Sequence, residues 1–161
     1  MPLPNRKMEA WRYTPLEFID NTAFTVDEEA PFEALDLNDI EEFLLPGSES
    51  SDRVVFVNGR YAPALSDLKT GNGVTLYTLA GQSKLPSDLK RHIGQADLSG
   101  SFFFTLNSAL MSDGAVIHVT GQADARRRLE LLHITVGMPD PVIHSPRHLV
   151  VLEKNTGLEL V

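Results

Sequence analysis

The stretch FFFTLNSALMSDGAVIHV, residues Phe102–Val119, is where the chain changes from one kind of structure to another. Its first half predicts an amphipathic helix, because large apolar residues recur at helical spacing, namely Phe102, Phe103, Leu106 and Leu110. Ser101 is the predicted N-cap, and Gly114 is expected to stop the helix in a left-handed C-terminal turn. The run Ala115–Val119 then predicts a strand. The stretch therefore predicts a joint between a mixed region and a strand-rich region.

Length and composition suit one domain, or one domain and the beginning of another, because the chain has 161 residues and 42% of them are hydrophobic. It contains no cysteine, which excludes disulfides, thiolate ligands and thiol nucleophiles within this chain. Met1–Pro4 does not have the pattern of a signal peptide, and the longest apolar runs are too short to cross a bilayer. We therefore expect a cytoplasmic protein that does not enter a membrane.

The net charge of −8 is unevenly distributed. Residues 1–52 carry 13 acids and 3 bases, a balance of −10, whereas residues 53–161 carry 9 acids and 11 bases, a balance of +2. An acidic front half argues against a nucleic-acid partner, because phosphate binding needs clustered Lys and Arg. We interpret the acidic block as a solvated surface, and an acidic docking face is the alternative.

Short helices and one β-hairpin are predicted before the joint. Arg53–Val57 predicts a strand, Asn58-Gly59 a type I′ turn and Arg60–Ala62 the returning strand, because both turn positions need a positive φ. Val74–Leu79 predicts a further strand. Helices are predicted from Pro15 with Thr14 as N-cap, over Leu37–Leu45 with Asp36 as N-cap, and over Pro86–Ile93.

An aromatic pair, Trp11 and Tyr13, lies among three basic residues near the N-terminus, Arg6, Lys7 and Arg12. A cation–π recognition patch is one interpretation. We favour the other, in which the rings anchor the terminal segment to the core, because large amphipathic rings bury much apolar surface.

Short apolar strands recur after the joint, at Ala115–Val119, Leu129–Val136, His148–Leu152 and Leu158–Val161. Their spacing of roughly 15 to 20 residues is near one turn of a stacked β-solenoid, although the edge of a β-sandwich would give a similar pattern. We therefore divide the chain into a mixed N-terminal region, residues 1–100, and a joint helix with the start of a strand core, residues 101–161. Because the sequence stops within a strand pattern, we expect that it was cut and that this edge pairs with a later part of the same polypeptide.

None of the five histidines predicts a metal site: His92, His118, His133, His144 and His148. The spacing of His144 and His148 would bind metal on a helix, but Pro146 lies between them and forbids that helix. His118 and His133 fall in strand patterns, and we expect both to be half-buried and to bond to backbone or water.

The remaining reactive side chains also lack the context of an active site. The serines at positions 108, 112 and 145 are not in a nucleophile-elbow sequence, and paired carboxylates such as Glu41-Glu42 and Asp27-Glu28-Glu29 lie on surface-like segments. The basic cluster Arg126-Arg127-Arg128 could receive a phosphate or an acidic partner, but we interpret it as a solvated turn. The sequence therefore predicts no catalytic, cofactor-binding or metal-binding residue.

Three segments of the chain match sequence patterns of one known family. PNRKMEAWRYTPL at Pro4–Leu16 is similar to the pattern LPTRKxExWKYTPL. FVNGRY at Phe56–Tyr61, with PALSD after it, is similar to FVDGRYxPxLSD, and LNSAL at Leu106–Leu110, followed by Asp113-Gly114, is similar to LNxALxxDG. With these segments the chain resembles the SufB/SufD family of the bacterial SUF iron–sulfur cluster assembly machinery. The segments occur in family order over nearly the whole chain, and the first two favour the SufD branch over its paralogue SufB.

The resemblance implies an α+β fold, in which short helices and a β-hairpin lead into the first coils of a right-handed parallel β-helix. It also implies a scaffold role without catalysis, in a complex with a SufB-like paralogue and a SufC-like ATPase. In that complex, clusters are built at the interface of SufB and SufD, and a reduced flavin can be carried. The family's cluster-assembly residues and its SufC-binding helical surface are expected beyond residue 161, so the resemblance implies no cofactor in this fragment.

Two functions of other classes stay open at this point. One is a freestanding protein-binding module that uses the acidic half of the chain. The other is a hydrolase on a β-solenoid, which would need paired carboxylates on one face of the stacked coils. The unclosed run Leu149–Val161 further predicts that the isolated fragment self-associates.

Overall fold

The computed structural model describes residues 2–26, 35–48, 51–69, 73–81, 84–95, 101–121, 127–137 and 140–161. Within these ranges the protein is a mixed α+β fold, with four short α-helices and seven strands in two small sheets. The predicted α+β class is therefore confirmed. The acidic run Asp27-Glu28-Glu29 and Arg126 lie outside the described residues.

The helices are α1 (Glu17–Asp20), α2 (Leu37–Ile40), α3 (Ser87–Lys90) and α4 (Phe102–Leu110). Two of them begin at their predicted caps. The Asp36 carboxylate accepts hydrogen bonds from the backbone N–H groups of Asn38 and Asp39, and Ser101 Oγ accepts one from the Phe104 N–H at 3.4 Å. These caps satisfy backbone donors that a helix N-terminus otherwise leaves unpaired.

Three of the predicted helix boundaries are wrong. Thr14 does not cap α1, because its N–H bonds to the Trp11 carbonyl and belongs to the preceding turn. The helix predicted over Leu37–Leu45 is shorter, because α2 passes into a 3₁₀ turn at Glu41–Phe43. The helix predicted over Pro86–Ile93 is reduced to α3.

The first sheet has the strand order β2-β1-β5-β7, and the second has the order β3-β4-β6. The strands of the first sheet are β1 (Asp52–Val57), β2 (Arg60–Tyr61), β5 (Arg128–Ile134) and β7 (Glu159–Leu160). Those of the second are β3 (Val74–Thr78), β4 (Ala115–Val119) and β6 (Leu149–Leu152). The predicted hairpin is present, and Asn58 and Gly59 have φ values of 48° and 77° at its turn.

The last four strands alternate between the two sheets. In chain order β4 lies in the second sheet, β5 in the first, β6 in the second and β7 in the first. The last two strands each pair in parallel with the strand two before them, β6 with β4 and β7 with β5. Strands from both sides of residue 100 share each sheet, since β1 pairs with β5 and β3 pairs with β4. The division at residue 100 stays a prediction.

The core lies on both faces of β1. On one face, Val54 and Phe56 pack with Ile117 of the second sheet, and on the other, Val55 and Val57 pack under α2. A strand covered on both faces is apolar without alternation, which accounts for the run VVFV. The residues of α4 are at most half-buried, and no helix in the described ranges has the length and apolarity to cross a membrane.

Candidate functional site

Within the stretch Phe102–Val119, the residues 106–114, which from here on we call the joint, are held in place by the carboxylate of Asp113. This side chain is only 3% exposed and accepts three backbone N–H bonds, from Tyr61 at 2.9 Å, Ala80 at 3.0 Å and Gly114 at 2.8 Å. Tyr61 belongs to β2 and Ala80 follows β3. One buried carboxylate therefore ties the hairpin, the second sheet and the joint together, because charge-assisted hydrogen bonds are the strong ones.

The joint also binds the segment that precedes β6, residues 144–148, which we call the facing segment. The Arg147 Nε donates to Asn107 Oδ1 at 3.0 Å, and an Arg147 Nη donates to Ser108 Oγ at 2.8 Å. Asn107 Nδ2 in turn donates to the Pro146 carbonyl at 3.1 Å. The Arg147 guanidinium also lies 4.4 Å from the centre of the Phe104 ring. The facing segment is thus fixed to α4 by polar bonds and a cation–π contact.

Gly114 has a different role from the predicted one. It does not end α4, which stops four positions earlier at Leu110. Its backbone approaches the facing segment so closely that an added Cβ would lie 1.6 Å from the Arg147 carbonyl oxygen. Glycine is therefore required at this position for close backbone approach and not for a helix stop.

Two histidines, His133 of β5 and His148 of the facing segment, form what we call the histidine pair. Their Nε2 atoms are 3.0 Å apart, and both rings contact Phe56, stacked for His133 and edge-on for His148. His148 Nδ1 accepts the Ala115 N–H at 2.9 Å. A neutral His148 therefore carries its proton on Nε2 and donates it to His133 Nε2.

This hydrogen-bonded chain favours the neutral form of both rings. Burial lowers the pKa of His133 below its ordinary value of 6.5. Burial also lowers the pKa of His148, with a smaller contribution from His133, to about 4, although the nearby Asp113 charge opposes the shift. A proton added to His148 would enter at Nδ1, where the Ala115 N–H already points.

The same protonation pattern leaves His148 without a lone pair for a metal ion at Nε2. No group of three or more histidine or acidic side chains suited to a metal ion is found in the described ranges of the chain. That no residue of this chain binds a metal stays a prediction from the sequence.

The structure corrects what was expected of the strand histidines. His133 is more exposed than expected, although one face of its ring stacks on Phe56, and it bonds to His148 and not to backbone or water. His118 is half-buried as expected, but it bonds to the Glu153 carboxylate at 3.1 Å and not to backbone or water. His92 is exposed, and the Cβ of His144 lies close to the turn glycine Gly59.

The predicted solvated turn at Arg126-Arg127-Arg128 is wrong for Arg127. This side chain is 11% exposed and is bonded to the Asp52 carboxylate, which is 3% exposed, and to the Lys69 carbonyl. Arg128 is more open, and its ion pair with Glu159, at 2.9 Å, raises its pKa. Arg127 therefore stabilises the start of β5 as a buried ion pair.

The two rings of the N-terminal aromatic pair, Trp11 and Tyr13, have different surroundings. The Trp11 ring lies 5.3 Å from that of Phe103 and joins the terminal segment to α4, as the anchoring interpretation predicts. Tyr13 is 89% exposed, so it does not anchor the segment to the described part of the core.

Sequence reasoning missed the polar residues that hold the joint and one buried acid. Asp113 and Arg147 form their bonds across 33 to 52 residues of sequence, so no local pattern signals them. Glu130 is 3% exposed, and its Oε1 accepts the Leu45 N–H at 3.0 Å, while Oε2 has no hydrogen-bond partner among the described residues. An acid inside the apolar run LELL is the only signal that could have marked it.

Residues 1–131 match the family model described as the SufBD protein N-terminal region. The chain belongs to the SufBD family. It is 32% identical over 162 aligned positions to an iron–sulfur cluster assembly SufBD family protein of Synechocystis sp., and 31% identical over 160 positions to the iron–sulfur cluster assembly protein SufD of Escherichia coli. Each match covers 98% of this SufBD chain and 34% of the relative. The chain thus spans about a third of the length of the curated relatives that it matches.

Proposed function

We propose that this SufBD chain is the N-terminal part of a scaffold component for iron–sulfur cluster assembly. In this proposal it works by assembling with a SufB-like paralogue and a SufC-like ATPase, and it catalyses no reaction itself. The observation that carries the proposal is the family match over residues 1–131, and both relatives are named for iron–sulfur cluster assembly.

The strand topology supports a structural role for the second half of the chain. The last four strands alternate between two sheets, and β6 and β7 are each parallel to the strand two before them, as the first coils of a right-handed parallel β-helix would require. Four large apolar side chains of β6 and the C-terminal strand are exposed: Val150, Leu152, Leu160 and Val161. A further coil stacked on β6 and β7 would cover them and pair their free backbone edge.

The polar groups of the joint support the proposed lack of catalysis. Asp113 bonds to backbone N–H groups, the Arg147 side chain bonds to the Asn107 and Ser108 side chains, and the two histidines bond to each other. A catalytic acid or base must be poised to exchange a proton with a substrate. No cofactor is proposed for this part of the chain, and its cytoplasmic location stays a prediction from the sequence.

A chimera tests the proposal in the setting of a whole scaffold. The third of Escherichia coli SufD that aligns with this chain is replaced by residues 1–161, and the chimera is co-expressed with tagged SufB and with SufC. We expect the three proteins to co-purify. A folded chimera that binds neither partner would contradict the proposal and would favour a freestanding module.

Matched variants of the chimera test the proposed coil stacking. Leu152→Asp places a charge on the exposed apolar edge of β6, whereas Lys154→Ala changes an exposed residue in the turn after it. We expect Leu152→Asp to lower the yield of folded chimera and Lys154→Ala to leave it unchanged. Equal yields for the two variants would contradict stacking on β6.

A further inference from the structure

A cavity of about 200 Å³ lies between α4, the turn after α3 and the start of β6. Its lining includes three aliphatic side chains, Leu79, Ile93 and Leu149, and the ring of Phe104. It also includes a permanent cation, Arg147, and two histidines, His92 and His148. No acidic residue is among the described residues that line it. The lining therefore combines apolar walls with an excess of positive charge.

The charge of Arg147 is not neutralised by a carboxylate. Its two side-chain hydrogen bonds go to the neutral groups of Asn107 and Ser108, and no acid lies within 4 Å of it in the described part of the chain. Arg147 is half-buried, and one face of its guanidinium is covered by Phe104. A guanidinium has five N–H donors in a planar fork that matches a carboxylate, so donors are left for a ligand.

The nearest buried acid does not fill this role. The Asp113 carboxylate already accepts hydrogen bonds from three backbone N–H groups. The bond between Asp113 and Arg147 joins their backbones, because the Arg147 backbone N–H donates to the Asp113 carbonyl at 3.1 Å. His148 faces the cavity as a neutral ring whose nitrogens are both engaged. Arg147 is thus the permanently charged group of the lining that can pair with an anion.

We propose that this cavity binds a small organic carboxylate, with the carboxylate on Arg147 and a short apolar group against Leu79, Ile93 and Leu149. The volume limits the ligand to roughly the size of benzoate or a short branched acid. This site goes beyond the proposed scaffold function and does not depend on it.

The test is an NMR titration of the ¹⁵N-labelled chain at pH 7 with benzoate, and in parallel with benzamide, which has the same shape but no charge. Sodium chloride is adjusted to equal ionic strength. We expect saturable shifts of the amide signals of Ile93 and Leu149 with benzoate, and at least about tenfold weaker binding of benzamide, because a charge-assisted bond is worth that factor or more.

Two variants and a control locate the ligand. Arg147→Gln should weaken benzoate binding about tenfold or more, and Ile93→Trp, which fills the cavity with a larger side chain and keeps Arg147, should abolish it. Arg12→Gln removes an exposed arginine of the N-terminal segment and should leave binding unchanged. Equal binding of benzoate and benzamide, shifts away from the cavity, or full binding by a folded Ile93→Trp variant would each overturn the proposal.

Discussion

Replacing Asp113 by alanine should destabilise the protein by about 4 kcal/mol. The change removes the acceptor of three backbone N–H groups. The Gly114 donor is buried and would lose its partner at a cost of about 2 kcal/mol, and the part-buried Tyr61 and Ala80 donors would lose about 1 kcal/mol each. Since a domain is stable by only about 5–15 kcal/mol, this one side chain would account for a large share.

Asp113→Asn should give a smaller loss, of about 1–2 kcal/mol. The amide oxygen can keep the two bonds that Oδ1 accepts, from Ala80 and Gly114, but the Tyr61 donor would then face an NH₂ group. The two substitutions therefore separate the loss of one bond from the loss of all three.

The assay is urea unfolding followed by far-UV circular dichroism, with Asp140→Ala as the exposed control, which should change stability by less than about 0.5 kcal/mol. The denaturant slope should be the same in all variants, so that midpoints report stability alone. The reasoning is refuted if Asp113→Ala costs less than about 1 kcal/mol, or if the asparagine variant is as unstable as the alanine variant.

Three further substitutions test other contacts of the joint and sheets. Gly114→Ala should cost about 3 kcal/mol or more by thermal unfolding, because its Cβ would overlap a backbone carbonyl oxygen, while Gly121→Ala, with open space around it, should be nearly neutral. The folded protein should lose stability as pH falls from about 6.5 to about 4, because both histidines of the pair have lowered pKa values in the folded state. In this range the unfolded chain therefore binds protons that the folded chain does not. His148→Gln should reduce this loss of stability, measured by urea unfolding at several pH values, by about 1–2 kcal/mol after allowance for the partial exposure of His148. Arg127→Gln should cost about 3–5 kcal/mol by thermal unfolding, because it leaves the Asp52 carboxylate buried without its cation, and a loss below about 1 kcal/mol would show that the pair is not buried in solution.

Sequence patterns correctly predicted the caps and the turn that depend on neighbouring residues. The caps at Asp36 and Ser101 and the turn at Asn58-Gly59 each depend on residues within three positions of one another, and all are present. The apolar runs also located β1 and the last four strands to within a residue or two. The pairing of these strands could not be predicted in the same way, because an apolar run does not specify which other strand it pairs with.

The errors fall where distant residues decide the conformation. Gly114 follows a helix, which favours a C-cap when only the sequence is considered, yet the facing segment, more than 30 positions later, determines its role. Arg127 sits in a polar run that favours a solvated turn, but Asp52, 75 positions earlier, draws it into the interior. The cavity beside Arg147 likewise needs residues from four separate stretches of sequence and gave no sequence signal.

At the joint, the residues that match the family pattern position two backbone segments relative to each other. Asn107 holds the facing segment through its Pro146 carbonyl and through Arg147, and Gly114 lets the two backbones touch. Those contacts place residue 148 immediately before β6, so they determine where the chain re-enters the second sheet beside β4. The joint therefore helps to fix the register of the parallel pair β4 and β6, in which Val116 lies beside Leu149. A signature of this kind specifies how two distant segments align beside one strand, which is a requirement of the fold.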